Sequence, residues 1–188
     1  MRKVLIATSN QDKFHIVSQL LKCSVLSQCE FVNLKMANLE SVLTETGTIE
    51  ERAKCKAFEF KKELQNYDVI IGIDDGILLP RAGAINTELK KITKQIIEEK
   101  ILKSGEIVKI CRAYHFITRQ NELNTVTIIP FSYKGNDNAV MKPNSYPLRQ
   151  VLSPLSANTL LSAMSESETM GYYLTYSKEN LEKIIRQL

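Results

Sequence analysis

The sequence contains few of the residues on which most transition-metal and redox sites depend. It has two histidines, His15 and His115, no tryptophan, and four cysteines that form no C-x-x-C pair. A multi-histidine metal centre is therefore excluded, and a divalent ion would have to be held by carboxylates, as Mg²⁺ is. Widely spaced cysteines of this kind are typical of reduced thiols that pack as small, buried or half-buried hydrophobic side chains.

Long apolar runs and a strong charge of one sign are also missing. The N-terminal sequence MRKVLIATSNQDK holds only a short apolar run and does not match a secretory signal. No stretch approaches the roughly 20 apolar residues of a membrane span. With 25 Lys+Arg against 21 Asp+Glu, the net charge of +4 is too weak to indicate a nucleic-acid-binding face. We therefore predict a cytoplasmic protein that has no membrane or nucleic-acid partner.

The length and composition favour a folded domain. The chain has 188 residues, of which 44% are hydrophobic and 24% charged, which suits one sizeable core or two lobes that share a core. No internal repeat, low-complexity tract or long linker divides the sequence. We therefore treat residues 1–188 as a single domain with two lobes.

Hydrophobic periodicity predicts an α/β fold. Short apolar runs predict buried strands at 3–7 and 69–73, and helical spacing predicts one helix after Asn10 and another over 50–65. The order strand, helix, helix, strand is typical of α/β proteins. The later elements predicted by the same criteria are a helix over 87–103, strands over 107–118 and 123–131, a crossing loop over 132–147, a strand at 148–152 and a last helix over 177–187.

The turn after the first predicted strand offers donors for an anion. Thr8, Ser9 and Asn10 lie where the strand gives way to a helix, and Lys13 follows one turn later. Free backbone N–H groups and the helix dipole favour an anion at such a junction. The alternative is an ordinary Ser or Asn N-cap with a solvated lysine. A glycine-rich phosphate-binding loop is not present.

The start of the second predicted helix contains a second group of candidates. Thr48 and Glu51 have the spacing of a capping box, which accounts for both but leaves Glu45 unexplained. Lys56 lies at the border of the apolar face of this helix. A lysine in this position either extends along the surface to solvent or points into a cleft, where it can meet a phosphate.

Two adjacent carboxylates, Asp74 and Asp75, follow the second apolar run and precede Gly76. Their like charges repel unless a cation or a proton offsets them. Ligand sites of α/β sheets gather at the carboxyl ends of strands. One carboxylate would therefore bind Mg²⁺, while the same residue or its neighbour would take a proton from water. The alternative is a simple Asp-Asp-Gly turn.

Taken in order, these three segments resemble the inosine triphosphate pyrophosphatase family, hydrolases of non-standard purine nucleoside triphosphates. The matching stretches are MRKVLIATSNQDK, ETGTIEERAKCKA and VIIGIDDG, all within the first 76 residues. The resemblance implies an α/β fold with an elongated mixed sheet flanked by helices, two lobes around a central cleft, and a homodimer. It also implies Mg²⁺-assisted cleavage of a nucleoside triphosphate into the monophosphate and pyrophosphate.

The resemblance also implies a role for each matching residue. Glu45, Asp74 and Asp75 would ligate Mg²⁺, and Asp75 would in addition accept the proton of the attacking water. Positioning and charge stabilisation of this kind are what phosphoryl-type displacement demands. The residues that would bind the triphosphate are Thr8, Ser9, Asn10, Lys13, Lys56 and Gly76.

The sequence departs from the family pattern at several points. Asp74-Asp75-Gly76-Ile77 stands where the family has Asp-Asp-Ser-Gly, and Glu51-Arg52 where it has Glu-Asn. The late Gly-Phe-Gly-Tyr-Asp-Pro and Ser-His-Arg stretches, which read the purine, have as nearest counterparts Asn144-Ser145-Tyr146-Pro147 and Tyr176-Ser177-Lys178. Two alternatives therefore stay open, namely a non-catalytic nucleotide-binding protein on the same fold and a pyrophosphatase with another base preference.

Overall fold

The structure is a computed structural model that describes residues 2–23, 26–139 and 147–187. The helices and strands in these ranges are β1 (Lys3–Ala7), α1 (Gln11–Lys22), β2 (Glu30–Asn33), α2 (Ile49–Glu59), β3 (Val69–Leu78), α3 (Leu89–Ile97), β4 (Ile107–Ile117), β5 (Glu122–Tyr133), β6 (Leu152–Pro154) and α4 (Glu166–Ile185). Short 3-10 helices cover Lys61–Gln65, Pro147–Gln150 and Leu161–Ala163. The predicted α/β fold class is confirmed.

The strands of the described chain form one mixed sheet in the order β2-β1-β3-β4-β5-β6. β1 pairs in parallel with both β2 and β3, whereas β5 and β6 are antiparallel. In the β1–β3 pair, Ala7 is the partner of Gly72. The turn that begins at Thr8 therefore lies beside the part of β3 that contains Asp74.

The chain divides into two compact units. The first consists of Met1–Asp74, Arg112–Thr127 and Leu174–Leu188, and the second of Asp75–Cys111 and Ile128–Tyr173. One core cluster of the first unit consists of buried apolar side chains from β1, β3, β4, α2, the chain that follows α2 and the residue that follows β2. It consists of Leu5, Ala7, Leu34, Ala57, Phe60, Leu64, Ile70 and Ile117.

Gly72 allows α2 to pack very closely against β3. A Cβ atom placed on Gly72 would lie 1.9 Å from the carbonyl oxygen of Ala53 and 2.7 Å from the backbone nitrogen of Ala57. Because side chains alternate along a strand, Ile70, Gly72 and Asp74 share the face of β3 that is covered by α2. This close approach brings the side chains of α2 within reach of Asp74.

The acidic pair lies inside a strand, contrary to the prediction that the strand ends before Asp74. β3 continues through Asp74, Asp75 and Gly76 to Leu78, and all three residues are buried. The prediction was wrong because it treated adjacent charges as a sign that the strand ends. The charge of Asp74 is instead offset by Lys56, whose ammonium forms a hydrogen bond with it.

The second unit packs around aromatic side chains. The ring of Phe131 lies 5.3 Å from that of Tyr172 and 6.1 Å from that of Tyr173, measured between centroids. The hydroxyl of Tyr172 donates a hydrogen bond to the carbonyl of Pro130. These two tyrosines therefore belong to the packing of the second unit.

The last helix begins earlier than predicted. Glu168 accepts hydrogen bonds from the backbone N–H and the hydroxyl of Ser165, and its own N–H donates to the Ser165 hydroxyl oxygen. These contacts start α4 at Glu166 and not at Ser177, in a polar stretch that conceals helical periodicity.

Among the described residues, no helix combines the length and apolar character needed to cross a membrane.

Other element bounds also differ from the predictions. The helix predicted over 50–65 ends at Glu59 and is followed by a 3-10 helix, and the helix predicted over 87–103 covers only Leu89–Ile97. The strand predicted at 148–152 is mainly a 3-10 helix, with β6 beginning at Leu152. β2 has only four residues and was not predicted. In the predicted loop over 132–147, β5 extends to Tyr133, and residues 140–146 lie outside the described ranges.

Candidate active site

The turn between β1 and α1 is organised by Asn10, which is the N-cap of α1. Its side-chain oxygen accepts a hydrogen bond from the backbone N–H of Lys13 at 3.0 Å. The hydroxyl oxygen of Thr8 accepts one from the N–H of Asn10 at 3.2 Å, and Ser9 is exposed. The N-cap interpretation is therefore confirmed. It does not exclude anion binding, because a hydroxyl that accepts a hydrogen bond still has its own proton to donate.

The capping box predicted at the start of α2 is present. The backbone N–H of Thr48 donates to the Glu51 carboxylate at 2.8 Å, and the N–H of Glu51 donates to the Thr48 hydroxyl oxygen at 3.2 Å. This reciprocal pair satisfies two backbone donors at the helix start. Thr48 and Glu51 therefore have a structural role, and Glu45 remains the residue of this segment that capping does not explain.

Lys56 is at the centre of the candidate site. Its Nζ atom lies 2.6 Å from Oδ1 of Asp74 and 2.7 Å from Oε1 of Glu45. It also donates to the carbonyl oxygen of Ile73 at 3.4 Å. The Lys56 side chain is only 15% exposed. Of the two interpretations that the sequence left open, the structure supports the one in which Lys56 points inward.

Lys13 contributes a second positive charge to this cluster. Its Nζ atom lies 3.9 Å from Oδ1 of Asp74, and both side chains are largely buried. The parallel pairing of β1 with β3 explains the approach, because it places the start of α1 beside Asp74. Four predicted site residues from four segments of the first unit are thus brought together: Lys13, Glu45, Lys56 and Asp74.

The charges in the cluster stabilise one another. Burial alone would lower the pKa of Lys56, but the carboxylates of Asp74 and Glu45 outweigh it and raise that pKa. Burial alone would raise the pKa of Glu45, but Lys56, Lys13 and Arg52 together lower it. Lys56 and Glu45 therefore both stay charged near neutral pH, and their contact is an ion pair.

The donor set fits a hard divalent ion. Oδ2 of Asp74 is buried and has no hydrogen-bond partner among the residues that the structure describes. A buried carboxylate oxygen of this kind costs free energy unless an ion binds to it or a water molecule donates a hydrogen bond to it. The described residues contain no group of three or more acidic, histidine or cysteine side chains arranged to hold a metal. Mg²⁺, however, is commonly bound by one or two carboxylates together with water and substrate phosphates, and Glu45 and Asp74 provide two.

Asp75 does not share the face of β3 on which the cluster forms. Successive side chains of a strand point to opposite faces, so Asp75 leaves β3 on the side away from α2. Asp75 is only 3% exposed. The alternative of a simple Asp-Asp-Gly turn is therefore wrong, because β3 continues through these residues, and the roles of Asp75 and Gly76 stay predictions.

The candidates for base recognition are only partly described by the structure. Asn144, Ser145 and Tyr146 lie outside the described ranges. Ser177 is completely buried in α4, whereas Lys178 is exposed and lies 3.8 Å from Glu182 on the surface of the same helix. Lys178 is therefore placed as a solvated helix lysine would be.

Glu59 of α2 was not singled out from the sequence, but it holds the segment that leads to Glu45. Its Oε1 accepts a hydrogen bond from the backbone N–H of Val42 at 2.7 Å, and its Oε2 accepts one from the Ser41 hydroxyl at 2.5 Å. The partners in these contacts are 17 and 18 residues apart in the sequence, so a local sequence pattern does not indicate them. Glu59 thus fixes this exposed segment to α2.

We expect Glu59→Gln to loosen this segment. A neutral amide is a weaker acceptor than a carboxylate, so hydrogen exchange of the Val42 amide should become about fivefold to tenfold faster. Exchange measured by NMR tests this, with the Thr48 amide as an internal control because it is bound by Glu51. An unchanged exchange rate at Val42 would contradict the role given to Glu59.

The chain has the fold of a group of nucleoside triphosphate pyrophosphatase and Ham1 structures. It is similar to a HAM1 protein from Coxiella burnetii, with a TM-score of 0.66, 12% identity and 100% coverage of both chains. It is also similar to the Staphylococcus aureus Ham1 protein, with a TM-score of 0.60 and 11% identity over 97% of this chain and 94% of the other. A nucleoside-triphosphatase / dITP/XTP pyrophosphatase from Mycobacterium abscessus gives a TM-score of 0.53 and 18% identity over 92% of both chains.

Comparison of sequences alone does not detect this similarity. No protein-family model and no curated protein sequence matches the chain. The resemblance that rested on three short motifs is therefore confirmed through the fold, at identities that are typical of strongly diverged sequences.

Proposed function

We propose that this protein is a Mg²⁺-assisted pyrophosphatase that cleaves a nucleoside triphosphate into the monophosphate and pyrophosphate. The observation that carries this proposal is the cluster of Lys13, Glu45, Lys56 and Asp74 beside the carboxyl end of β1. Two lysines suit the charge of a triphosphate, and two carboxylates suit its metal ion. The name of the M. abscessus structure, a dITP/XTP pyrophosphatase, supports the same chemistry on this fold.

The phosphates would be bound at the β1–α1 turn and by the two lysines. The turn offers hydroxyl and amide donors at the N-terminus of α1, where the helix dipole favours an anion. When the nucleotide enters, Lys56 would give up its contact with one carboxylate and would donate that hydrogen bond to a phosphate oxygen. The proposed triphosphate-binding residues are Thr8, Ser9, Asn10, Lys13, Lys56 and Gly76.

The carboxylates would have two roles, namely binding the metal ion and accepting a proton from water. Glu45 and Asp74, which both contact Lys56, would hold Mg²⁺, which when bound would offset the negative charge that develops on the phosphates during the cleavage. Asp75 would accept the proton of the attacking water, as a general base does. Lys13 and Lys56 would stabilise the charge of the departing pyrophosphate.

We also propose that the protein is a cytoplasmic homodimer with neither a membrane nor a nucleic acid among its partners. The proposal follows from the resemblance stated above and from the weak net charge of +4. Light scattering coupled to size-exclusion chromatography measures the molar mass directly, and a mass near the 21.4 kDa of one chain would contradict the dimer.

The test of the activity is pyrophosphate release from a panel of ribonucleoside and deoxyribonucleoside triphosphates with Mg²⁺. The panel includes hypoxanthine, xanthine and modified pyrimidine nucleotides, so that it also reports the base preference. We expect turnover of at least one member, and we expect chelation of the metal to slow it by about a hundredfold or more. A folded protein that turns over no member would contradict the proposed activity.

A second candidate function is nucleotide binding without catalysis. It is favoured by the two ion pairs of Lys56 with Glu45 and Asp74, because a phosphate would have to displace a carboxylate to contact this lysine. The chain also has Gly76-Ile77 where the resembled family has Ser-Gly. Calorimetric titration with a non-hydrolysable triphosphate separates the two functions, because binding without turnover of the panel supports the second.

A further inference from the structure

Glu45, a proposed Mg²⁺ ligand, has a positively charged group beside each of its two oxygens. Oε1 lies 2.7 Å from Nζ of Lys56, and Oε2 lies 3.7 Å from Nη1 of Arg52. Nε of Arg52 also donates a hydrogen bond to the carbonyl of Gly47 at 3.1 Å. This backbone contact, together with a side-chain exposure of only 14%, holds the guanidinium beside Glu45.

Arg52 is also a position at which this chain departs from the family pattern that it resembles. The pattern has a short, neutral asparagine there, whereas arginine carries a charge at every accessible pH. To bind Glu45, a divalent ion must therefore displace Lys56 and Arg52 from its carboxylate and then remain close to both positive charges. The same charges attract a triphosphate, whose negative charge can offset both the ion and the arginine.

We propose that Arg52 is a positioning residue that makes divalent-ion binding at this site depend on the nucleotide. Its guanidinium orients Glu45 and weakens the affinity for a free ion, so that the ion binds together with the triphosphate. This inference rests on the proposed function, since it takes Glu45 as an ion ligand. It adds that Arg52 couples the binding of the ion to the binding of the nucleotide.

The experiment measures the binding of Mn²⁺, as a paramagnetic probe, to the full chain without nucleotide. Electron paramagnetic resonance counts the free ion and needs no turnover. In Arg52→Gln the positive charge is lost, but the side chain can still donate to the carbonyl of Gly47. We expect this variant to bind Mn²⁺ about fivefold to tenfold more tightly than the unchanged protein. Arg52→Lys keeps the charge and should stay within about twofold.

Equal or weaker Mn²⁺ binding by folded Arg52→Gln would overturn the inference. Equally tight binding by Arg52→Lys and Arg52→Gln would also overturn it, because charge would then not be the cause. With a non-hydrolysable triphosphate present, the difference between Arg52→Gln and the unchanged protein should shrink to about twofold or less, and a difference that persists would contradict the coupling. A failed turnover panel leaves these ion-binding results unaffected, so a failure of the proposed activity can be told apart from a failure of this inference.

Discussion

Asp75→Asn is expected to lower nucleoside triphosphate turnover by about a thousandfold. Asparagine has nearly the same shape as aspartate but cannot accept the proton of the attacking water, and general base catalysis contributes roughly 10²–10⁴-fold. Asp75 lies within β3 and is only 3% exposed, so an isosteric replacement should keep the packing of the strand. The effect should therefore fall on the chemical step.

Steady-state pyrophosphate release, with the best substrate of the panel, measures this effect. Asp75→Asn should lower kcat and leave KM within a few fold, because Asp75 is assigned to the proton and not to the lysines. Asp74→Asn is the matched comparison, since Asp74 is 2.6 Å from Nζ of Lys56 and its loss leaves that buried ammonium with one ion-pair partner fewer. This second variant should raise KM and lower the unfolding temperature. Full activity of folded Asp75→Asn would remove Asp75 as the base.

Features that depend on neighbouring residues were predictable from the sequence. β1 covers the predicted residues Lys3–Ala7, because a short apolar run followed by a polar turn defines both ends of the strand. The Thr48–Glu51 capping box was predicted for the same reason, as its partners lie three residues apart. In both cases the interactions that decide the structure are local.

The placement of Asp74 was not predictable in this way. Its burial within β3 depends on Lys56, which is 18 residues earlier in the sequence. The position of Lys56 depends in turn on the close approach of α2 to β3 at Gly72. A pattern of apolar and charged residues carries no information about such a contact, so the charges were interpreted as the end of the strand.

The candidate site was predictable only through the resemblance to a family. The spacing of residues alone left two interpretations of Lys56 and gave Glu45 no role. The resemblance carried by the ordered motifs implied a role for each of these two residues. Arg52 and Glu59 were missed as functional candidates because their partners are backbone atoms and loop residues. For Arg52 one indication existed, namely the arginine in place of the asparagine of the family pattern.

Gly72→Ala is expected to destabilise the protein by about 3 kcal/mol or more. The new Cβ would meet backbone atoms of α2, at 1.9 Å from the Ala53 carbonyl oxygen and 2.7 Å from the Ala57 nitrogen. Backbone atoms cannot rotate away as a side chain can, so the helix itself must move. Overpacking of a core typically costs 1–3 kcal/mol, and a clash with backbone lies at the upper end or beyond. Because Lys56 is part of α2, the same movement should weaken its ion pair with Asp74.

Urea unfolding of Gly72→Ala measures the loss, and Gly171→Ala is the matched control. Gly171 lies within α4, where an added Cβ meets no atom of the described chain within 4 Å beyond its own helix backbone and immediate neighbours. The control should gain roughly 0.5–1 kcal/mol, because alanine is the better helix former. A Gly72→Ala protein that unfolds at the urea concentration of the unchanged protein would contradict the close packing of α2 on β3. The placement of Lys56 beside Asp74 would then fail as well, since it depends on that packing.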